Sequence, residues 1–153
     1  MLLKNLYKKN LLITSLLLLF FWGVSAQSDD VFGRWKTVDD VTGEVKSVVE
    51  IYEKDGKAYG KVSKILHPDP SKQFTTCDRC TDERKDQRVL GMIIINGLKK
   101  DGKQYNGGKI LDPERGKEYK CYISLVEKNK LKVRGYIGIK LLGRTQYWFR
   151  EEQ

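Results

Sequence analysis

An all-β architecture, an eight-stranded and mostly antiparallel up-and-down barrel, follows from three observations on the chain. Apolar residues recur with period two, as in strands with one buried face, and nowhere hold a 3.6 period for three turns. Turn chemistry punctuates the chain at strand-length intervals. The stretch 131–150 reads as two adjacent extended segments, Leu131, Val133, Gly135 and Ile137 alternating in the first and Thr145, Tyr147 and Phe149 in the second. A chain that ends on two adjacent strands is closing a sheet, and Gly33-Arg34-Trp35 offers the edge to close against; closure removes exposed edges. A two-sheet sandwich is the alternative packing.

Residues 1–26 stand apart. Lys4, Lys8 and Lys9 precede an uncharged apolar run over 11–24, and Val24-Ser25-Ala26 supplies small residues for cleavage, the pattern of a secretory signal peptide. The run is shorter than the roughly 20 residues of a spanning helix. The mature chain is therefore expected to start at Gln27, not to span a membrane after cleavage, and to lie in the periplasm or be secreted. Removing the leader takes three Lys from the formal charge of +9, leaving +6 on residues 27–153, a single domain's length. Cations and acids are interspersed, which describes a basic exported surface. Nucleic acid is not expected, because there is neither a basic helix nor an RNA-binding aromatic motif. Anionic envelope polymers or lipid headgroups suit such a surface.

In order along the chain, residues 32–38 form the first strand, with Gly33, Trp35 and Thr37 on one face. Residues 39–43 turn through Asx chemistry and a Gly. Residues 45–53 and 58–66 are strands joined by Lys54-Asp55-Gly56-Lys57, a hairpin signal. The spacing then breaks over 67–88, a charged segment with Pro68, Pro70, Cys77 and Cys80. Loops beyond about 12–15 residues are uncommon and tend to be functional, so this is the expected lid or partner-facing loop. Strands resume at 89–95, where Met92-Ile93-Ile94-Ile95 suggests burial on both sides, and Asn96-Gly97 begins a connection to 102. A Gly-rich strand (105–111), a turn at 112–116 and a strand with Tyr119, Cys121, Ile123 and Leu125 on one face lead into the closing pair.

Several of these pieces fall in a familiar order: Gly33-Arg34-Trp35, Asp40-x-x-Gly43, Val49-Glu50-Ile51-Tyr52, Cys77-x-x-Cys80, Gly107 through Pro113, Val133-Arg134-Gly135-Tyr136 and Leu142-Gly143-Arg144-Thr145. Over about 31–150 this resembles a family of small exported bacterial proteins, domain-of-unknown-function family 2147. The resemblance implies a lipocalin-like barrel and assigns no biochemical role. Gly33-Arg34-Trp35 also resembles the Gly-x-Trp of lipocalins proper, which implies a structural clasp, Trp35 covered by a late Arg, Arg150 or Arg144.

Chemistry-bearing residues are few. Cys77 and Cys80 are expected to form a local disulfide in an oxidising compartment. A structural zinc site wants four ligands, and with one His in the chain the conceivable set is Cys77, Cys80, His67 and a carboxylate such as Asp82; no metal or cofactor is expected. Cys121 reads as a buried thiol. With no nucleophile elbow, triad context or phosphate-cradling loop, the chain is not expected to be an enzyme; redox work by the Cys pair is the residual enzymatic reading. The faces opposite the apolar stripes carry Glu50, Tyr52, Arg134, Tyr136, Arg144 and Trp148. If these face inward with Trp35, Glu50 beside Arg134 or Arg144 would orient a ligand in an aromatic-lined pocket. The expected function is binding of a small apolar or amphipathic ligand inside or at the mouth of the barrel. The alternative is an envelope or surface interaction protein with a solid core, using its basic face or the 67–88 loop.

Overall fold

A computed structural model describes residues 30–67 and 69–152; the expected leader and its cleavage site lie outside them. Eight strands follow in order: β1 (Gly33–Val38), β2 (Val45–Lys54), β3 (Lys57–Ile65), β4 (Ile93–Asp101), β5 (Gln104–Asp112), β6 (Lys117–Glu127), β7 (Lys130–Tyr136) and β8 (Gly143–Arg150). Each pairs antiparallel with the next, and β1 pairs with β8, so the sheet is a closed barrel. The closing seam is short: Trp35 opposes Arg150 and Lys36 opposes Phe149, and Glu151 N donates to Arg34 O beyond them at 2.9 Å.

Local chemistry sets the turns. Asp39 Oδ1 accepts from the backbone N–H of Val41 and Thr42, both at 2.9 Å, shaping the β1–β2 turn. These two donors hold the Asp39 carboxyl below its ordinary range. Asp55 and Gly56 both have positive φ, 51° and 70°, as a two-residue hairpin in a right-twisted sheet requires. Asn96-Gly97, expected to leave the sheet, stays inside β4. Gly97 takes φ 71° where the β3 partner shifts between Ala58 and Gly60, so the pair makes a bulge rather than a turn. The hairpin falls later, at Gly102-Lys103, between the paired Asp101 and Gln104.

Two expected faces are corrected. Ile93 is exposed while Ile94 and Ile95 are both buried, because a second register shift between Gly60 and Lys61 lets consecutive residues turn inward. In β8 the inward residues are Arg144, Gln146, Trp148 and Arg150. Tyr147 and Phe149 stay on the outer wall, as does Thr145 by the same alternation. The reason is cross-strand pairing: Leu131 opposes Trp148, Val133 opposes Gln146 and Gly135 opposes Arg144, and opposed residues share a face. Ile137 has left β7 and is exposed.

The core holds Trp35, Trp148, Ile51, Ile95, Leu98, Ile123 and Leu131, all almost fully buried. Each such side chain contributes about 1.5–3 kcal/mol of hydrophobic stabilisation. Up-and-down connectivity puts the β2–β3, β4–β5 and β6–β7 turns at one end with residues 30–32. The opposite end carries the β1–β2, β3–β4, β5–β6 and β7–β8 connections.

The long β3–β4 connection is built into the fold. It opens on a 3-10 turn, Pro70–Phe74, capped by Asp69, whose Oδ1 accepts from Ser71 N at 2.9 Å. Thr76 bridges Arg88, and Cys77 N donates to Gln87 O at 2.9 Å. Cys77 and Cys80 are disulfide-bonded and buried within the core cluster, with Val89 and Met92. Outside, Arg84 joins Asp82 and reaches Glu118 Oε1 on β6 at 3.0 Å, while Lys109 Nζ docks on Glu118 Oε2 at 2.9 Å. The segment thus braces the barrel end rather than hanging from it.

Candidate functional site

The barrel is filled unequally. Trp35, Ile51, Ala58, Leu98, Tyr105, Ile123 and Leu131 pack the end nearest residues 30–32. At the other end a cleft of about 930 Å³ enters between the β1–β2 turn, the 66–92 segment, the β5–β6 turn and the β7–β8 loop. Its inner wall is apolar: Val62, Ile94, Ile110, Val133 and Trp148, with Tyr119. Gly135 brings the β7 backbone close against that wall, since even a Cβ on it would stand in contact with Ile110 and Tyr119 at 3.4 Å. The rim mixes Lys46, Lys72, Arg79, Arg115 and Arg144 with Asp39, Asp78, Asp112 and Glu114.

One strand face organises the polar part. Along the inward side of β8, Trp148 Nε1 donates to Gln146 Oε1 at 3.2 Å, and Gln146 Nε2 donates to Asp40 Oδ1 at 3.3 Å. Arg144 Nε donates to Asp40 Oδ2 at 2.6 Å, and Arg144 Nη2 also reaches Asp40 Oδ1. The Arg144 hydrogen bonds hold the Asp40 carboxyl below its ordinary range, and Asp40 in turn raises Arg144. On the neighbouring β1 and β2, Thr37 Oγ1 and Ser47 Oγ are hydrogen-bonded at 2.9 Å. His67 lies on the same rim, its Nδ1 accepting from Asp69 N at 3.0 Å. The arrangement offers a greasy floor beneath a ring of fixed hydrogen-bonding and charged groups.

The residues expected to share a pocket are divided by the structure. Trp148 and Arg144 line the cleft, and Tyr136 stands at its rim. Glu50 is on the outer wall, its Oε2 3.6 Å from Lys61 Nζ, so the expected pairing with Arg134 or Arg144 does not form. Tyr52 is also outside, stacked on Tyr59 with centroids 6.0 Å apart. Arg134 faces outward, donating from Nη1 to Thr145 Oγ1 at 2.7 Å. Asp40 and Gln146 complete the polar ladder; Asp40 shows in the sequence only as part of the Asp40-x-x-Gly43 turn pattern, and Gln146 is an isolated amide with no signal of its own.

Trp35 does not line the cleft. It sits at the packed end, its Nε1 donating to Val31 O at 2.8 Å. The Arg150 guanidinium lies over its ring, 4.2 Å from the centroid. Arg150 also donates from Nη1 to Phe32 O, from Nη2 to Asp30 O and from Nε to Lys128 O at 3.0, 2.9 and 3.1 Å. Arg150, not Arg144, covers the indole. Tyr105 packs edge-on to Phe32 beside it, and burial raises the Tyr105 hydroxyl pKa.

The cysteines divide by environment. Cys77 and Cys80 are spent in their disulfide. Cys121 is a free thiol inside the barrel, pushed up to about 12 by burial. Among the described residues no cluster of His, Cys, Asp and Glu could hold a metal ion. No helix among them is long and apolar enough to cross a membrane.

A closed eight-stranded barrel, packed at one end under a Trp–Arg clasp and open at the other, has a lipocalin-like fold. Residues 33–150 match the profile of domain-of-unknown-function family 2147, described as uncharacterized proteins conserved in bacteria, and the chain belongs to that family. Among solved structures it is similar to HP1028 of Helicobacter pylori, described as belonging to the lipocalin family. The TM-score is 0.70 at 19% identity, over 81% of this chain and 84% of the other. At that identity the likeness is one of fold. No curated protein matches the chain.

Proposed function

We propose that the protein is exported to the periplasm or beyond and binds, without transforming it, a small amphipathic molecule in the cleft at the barrel mouth. The carrying observation is the combination of about 930 Å³ of space with an apolar floor and a preset polar rim. Binding sites for small molecules are commonly of this size, mostly apolar, with a few fixed polar groups. An acyl or ring portion fits against Ile65, Ile110 and Tyr119, the part-exposed apolar lining over the buried Val62, Val133 and Trp148. A polar head meets Arg144, Gln146 and the Thr37–Ser47 pair. The lipocalin-like fold is consistent with this reading.

The test uses Trp148 as reporter. Brominated fatty acids and related amphiphiles titrated into the chain from Gln27 onward should quench its fluorescence saturably. Gly135→Leu, whose Cβ would already touch Ile110 and Tyr119 so that the rest of the side chain enters the cleft, should weaken binding at least about tenfold, a loss of about 1.4 kcal/mol, with an unchanged far-UV circular dichroism spectrum showing that the barrel is kept. Native mass spectrometry of protein taken gently from its own envelope should show a retained mass that denaturation removes. Absence of both the retained mass and saturable quenching across the panel would overturn the proposal.

A further inference from the structure

The β7–β8 loop, residues 137–142, carries four aliphatic side chains, and all of them face solvent. Leu141 is 83% exposed, Leu142 67%, Ile137 66% and Ile139 58%. The Arg144–Asp40 pair draws the β1–β2 turn to the same corner, adding Val41 at 82%. The loop backbone is fixed while these side chains stay out. Arg134 donates from Nε to Lys140 O and from Nη2 to Leu141 O, at 2.9 and 3.1 Å. Ile137 N donates to Leu142 O at 3.0 Å, and Leu142 N to Ile139 O at 3.1 Å. A contiguous exposed apolar patch with its polar backbone already satisfied marks a surface made for contact.

The wall below the loop says what it contacts. Lys120 and Tyr122 of β6, Lys132 of β7 and Tyr147 of β8 share the outer face, Tyr122 opposing Arg134 and Lys132 opposing Tyr147. Lys132 and Lys140 both lie over the Tyr122 ring, at 5.6 and 5.3 Å. From Lys128 to Arg150 there are seven Lys or Arg and not one Asp or Glu. Aliphatic side chains at a loop tip, with tyrosines and lysines beneath and the nearest acids, Asp40 and Glu118, already paired with Arg144 and with Arg84 and Lys109, match the layering of a bilayer surface: acyl chains, interface, anionic headgroups.

We propose that this corner docks on an anionic lipid surface, with Ile137, Ile139, Leu141, Leu142 and Val41 inserted among the acyl chains and Lys120, Lys132 and Lys140 against headgroup phosphates. Val41, Ile137 and Leu142 also line the cleft, so docking brings the barrel mouth to the membrane. If the cleft carries an amphiphile, as proposed above, it can then exchange without crossing water. The docking surface itself does not depend on that reading.

The experiment is co-sedimentation of the chain from Gln27 onward, which contains the whole core cluster, with two kinds of vesicle. Binding is expected to mixed phosphatidylglycerol and phosphatidylethanolamine, and to be weak on phosphatidylcholine. The double variant Ile139→Asp/Leu141→Asp should bind the anionic vesicles at least about tenfold more weakly, as should Lys120→Glu/Lys132→Glu, the latter through loss of roughly one headgroup interaction per site. All four positions are surface ones, and an unchanged thermal transition shows that the fold is kept. Gly135→Leu should bind vesicles like the parent, which separates failure of docking from failure of ligand binding. No binding to anionic vesicles, or parent-like binding by the Asp variant, overturns the proposal. Concentration-dependent dimerisation abolished by Ile139→Asp/Leu141→Asp, without vesicle binding, would assign the patch to a second copy and overturn it equally.

Discussion

Arg150→Ala should destabilise the barrel by about 3–4 kcal/mol, and the reason is local to the packed end. The side chain spans three carbonyls on two segments: Phe32 O and Asp30 O before β1, and Lys128 O in the β6–β7 turn. A hydrogen bond to a charged donor contributes about 1.5–3 kcal/mol when buried. Arg150 is only half-buried and its acceptors can partly turn to water, so about 1 kcal/mol for each of the two inner bonds is the fitting figure. The cation over Trp35 at 4.2 Å adds about 1–2 kcal/mol in a partly desolvated setting. Against a whole-domain stability of about 5–15 kcal/mol, that is a large share. With a urea slope of about 1–3 kcal/mol per molar, the midpoint should fall by about 2 M. Arg150→Lys keeps a cation above the indole, but one ammonium cannot reach all three carbonyls, so it should recover only about half of the loss. Gly33 tests the same packing from below, since a Cβ there would stand 2.9 Å from Arg150 Nη1. A loss under about 1 kcal/mol for Arg150→Ala, or full recovery by Lys, would refute the clasp as a stabilising element.

Other outcomes follow from the same structure. Gly116 has φ 63°, and a Cβ on it would stand 2.0 Å from Arg79 O and 2.6 Å from Cys80 N. Gly116→Ala should therefore cost about 2–4 kcal/mol, while Gly102→Ala, with φ 59° and nothing within 4 Å, should cost only the roughly 1 kcal/mol of left-handed strain; equal urea midpoints would refute the docking of the disulfide loop on the β5–β6 turn. The Cys121 thiol, raised to about 12, should be silent to Ellman's reagent at pH 8 in the folded protein and react fully in denaturant. Asp40 is lowered from 3.8 in the folded chain, so its stabilisation is complete above the unfolded value and fades as pH falls through the folded one. Asp82, held at about 2 by Arg84, fades over the same limb. Urea midpoints measured from about pH 6 down to about pH 2 should fall on this limb, and Asp40→Asn should lower the neutral midpoint while flattening the fall; an identical acid limb would refute the role of the Arg144–Asp40 pair.

What the sequence disclosed depended on whether one signal fixed both element and phase. In β6, Tyr119, Cys121, Ile123 and Leu125 alternate with polar residues, and their face is as read. Asp55-Gly56 names its own turn, since both residues tolerate positive φ. Asn96-Gly97 carries the same dipeptide chemistry yet stays in a strand, because a Gly at positive φ serves a bulge as well as a turn. The 67–88 segment looked like a lid from its charge and length. Its core contribution comes from Cys77, Cys80 and neighbouring Val89 and Met92, a disulfide knot whose burial no local periodicity reports.

The β8 strand shows the limit most sharply, and it also explains the site. Tyr147, Trp148 and Phe149 put aromatics on both faces, so hydropathy fixes that a strand exists but not which side is inside. Only its register with β7 decides, through Leu131 opposite Trp148. A one-residue change of phase turns every side chain over, which is why Arg144 and Trp148 fall within the cleft, while Glu50, Tyr52 and Arg134 stay outside opposite the inward apolar stripes of β2 and β7. Once the phase is set, the inward face of β8 reads as one functional column. Arg150 fastens the packed end over Trp35, Trp148 floors the cleft, and Gln146 and Arg144 carry hydrogen bonds to Asp40 at the mouth. The outer face of β7 holds the neighbouring loop through Arg134. The closing pair of strands thus couples the stability of one end to the polar rim of the other. A substitution that shifted β8 by one residue would damage both together, whereas losing Arg150 alone should weaken the fold and leave the geometry of the rim intact.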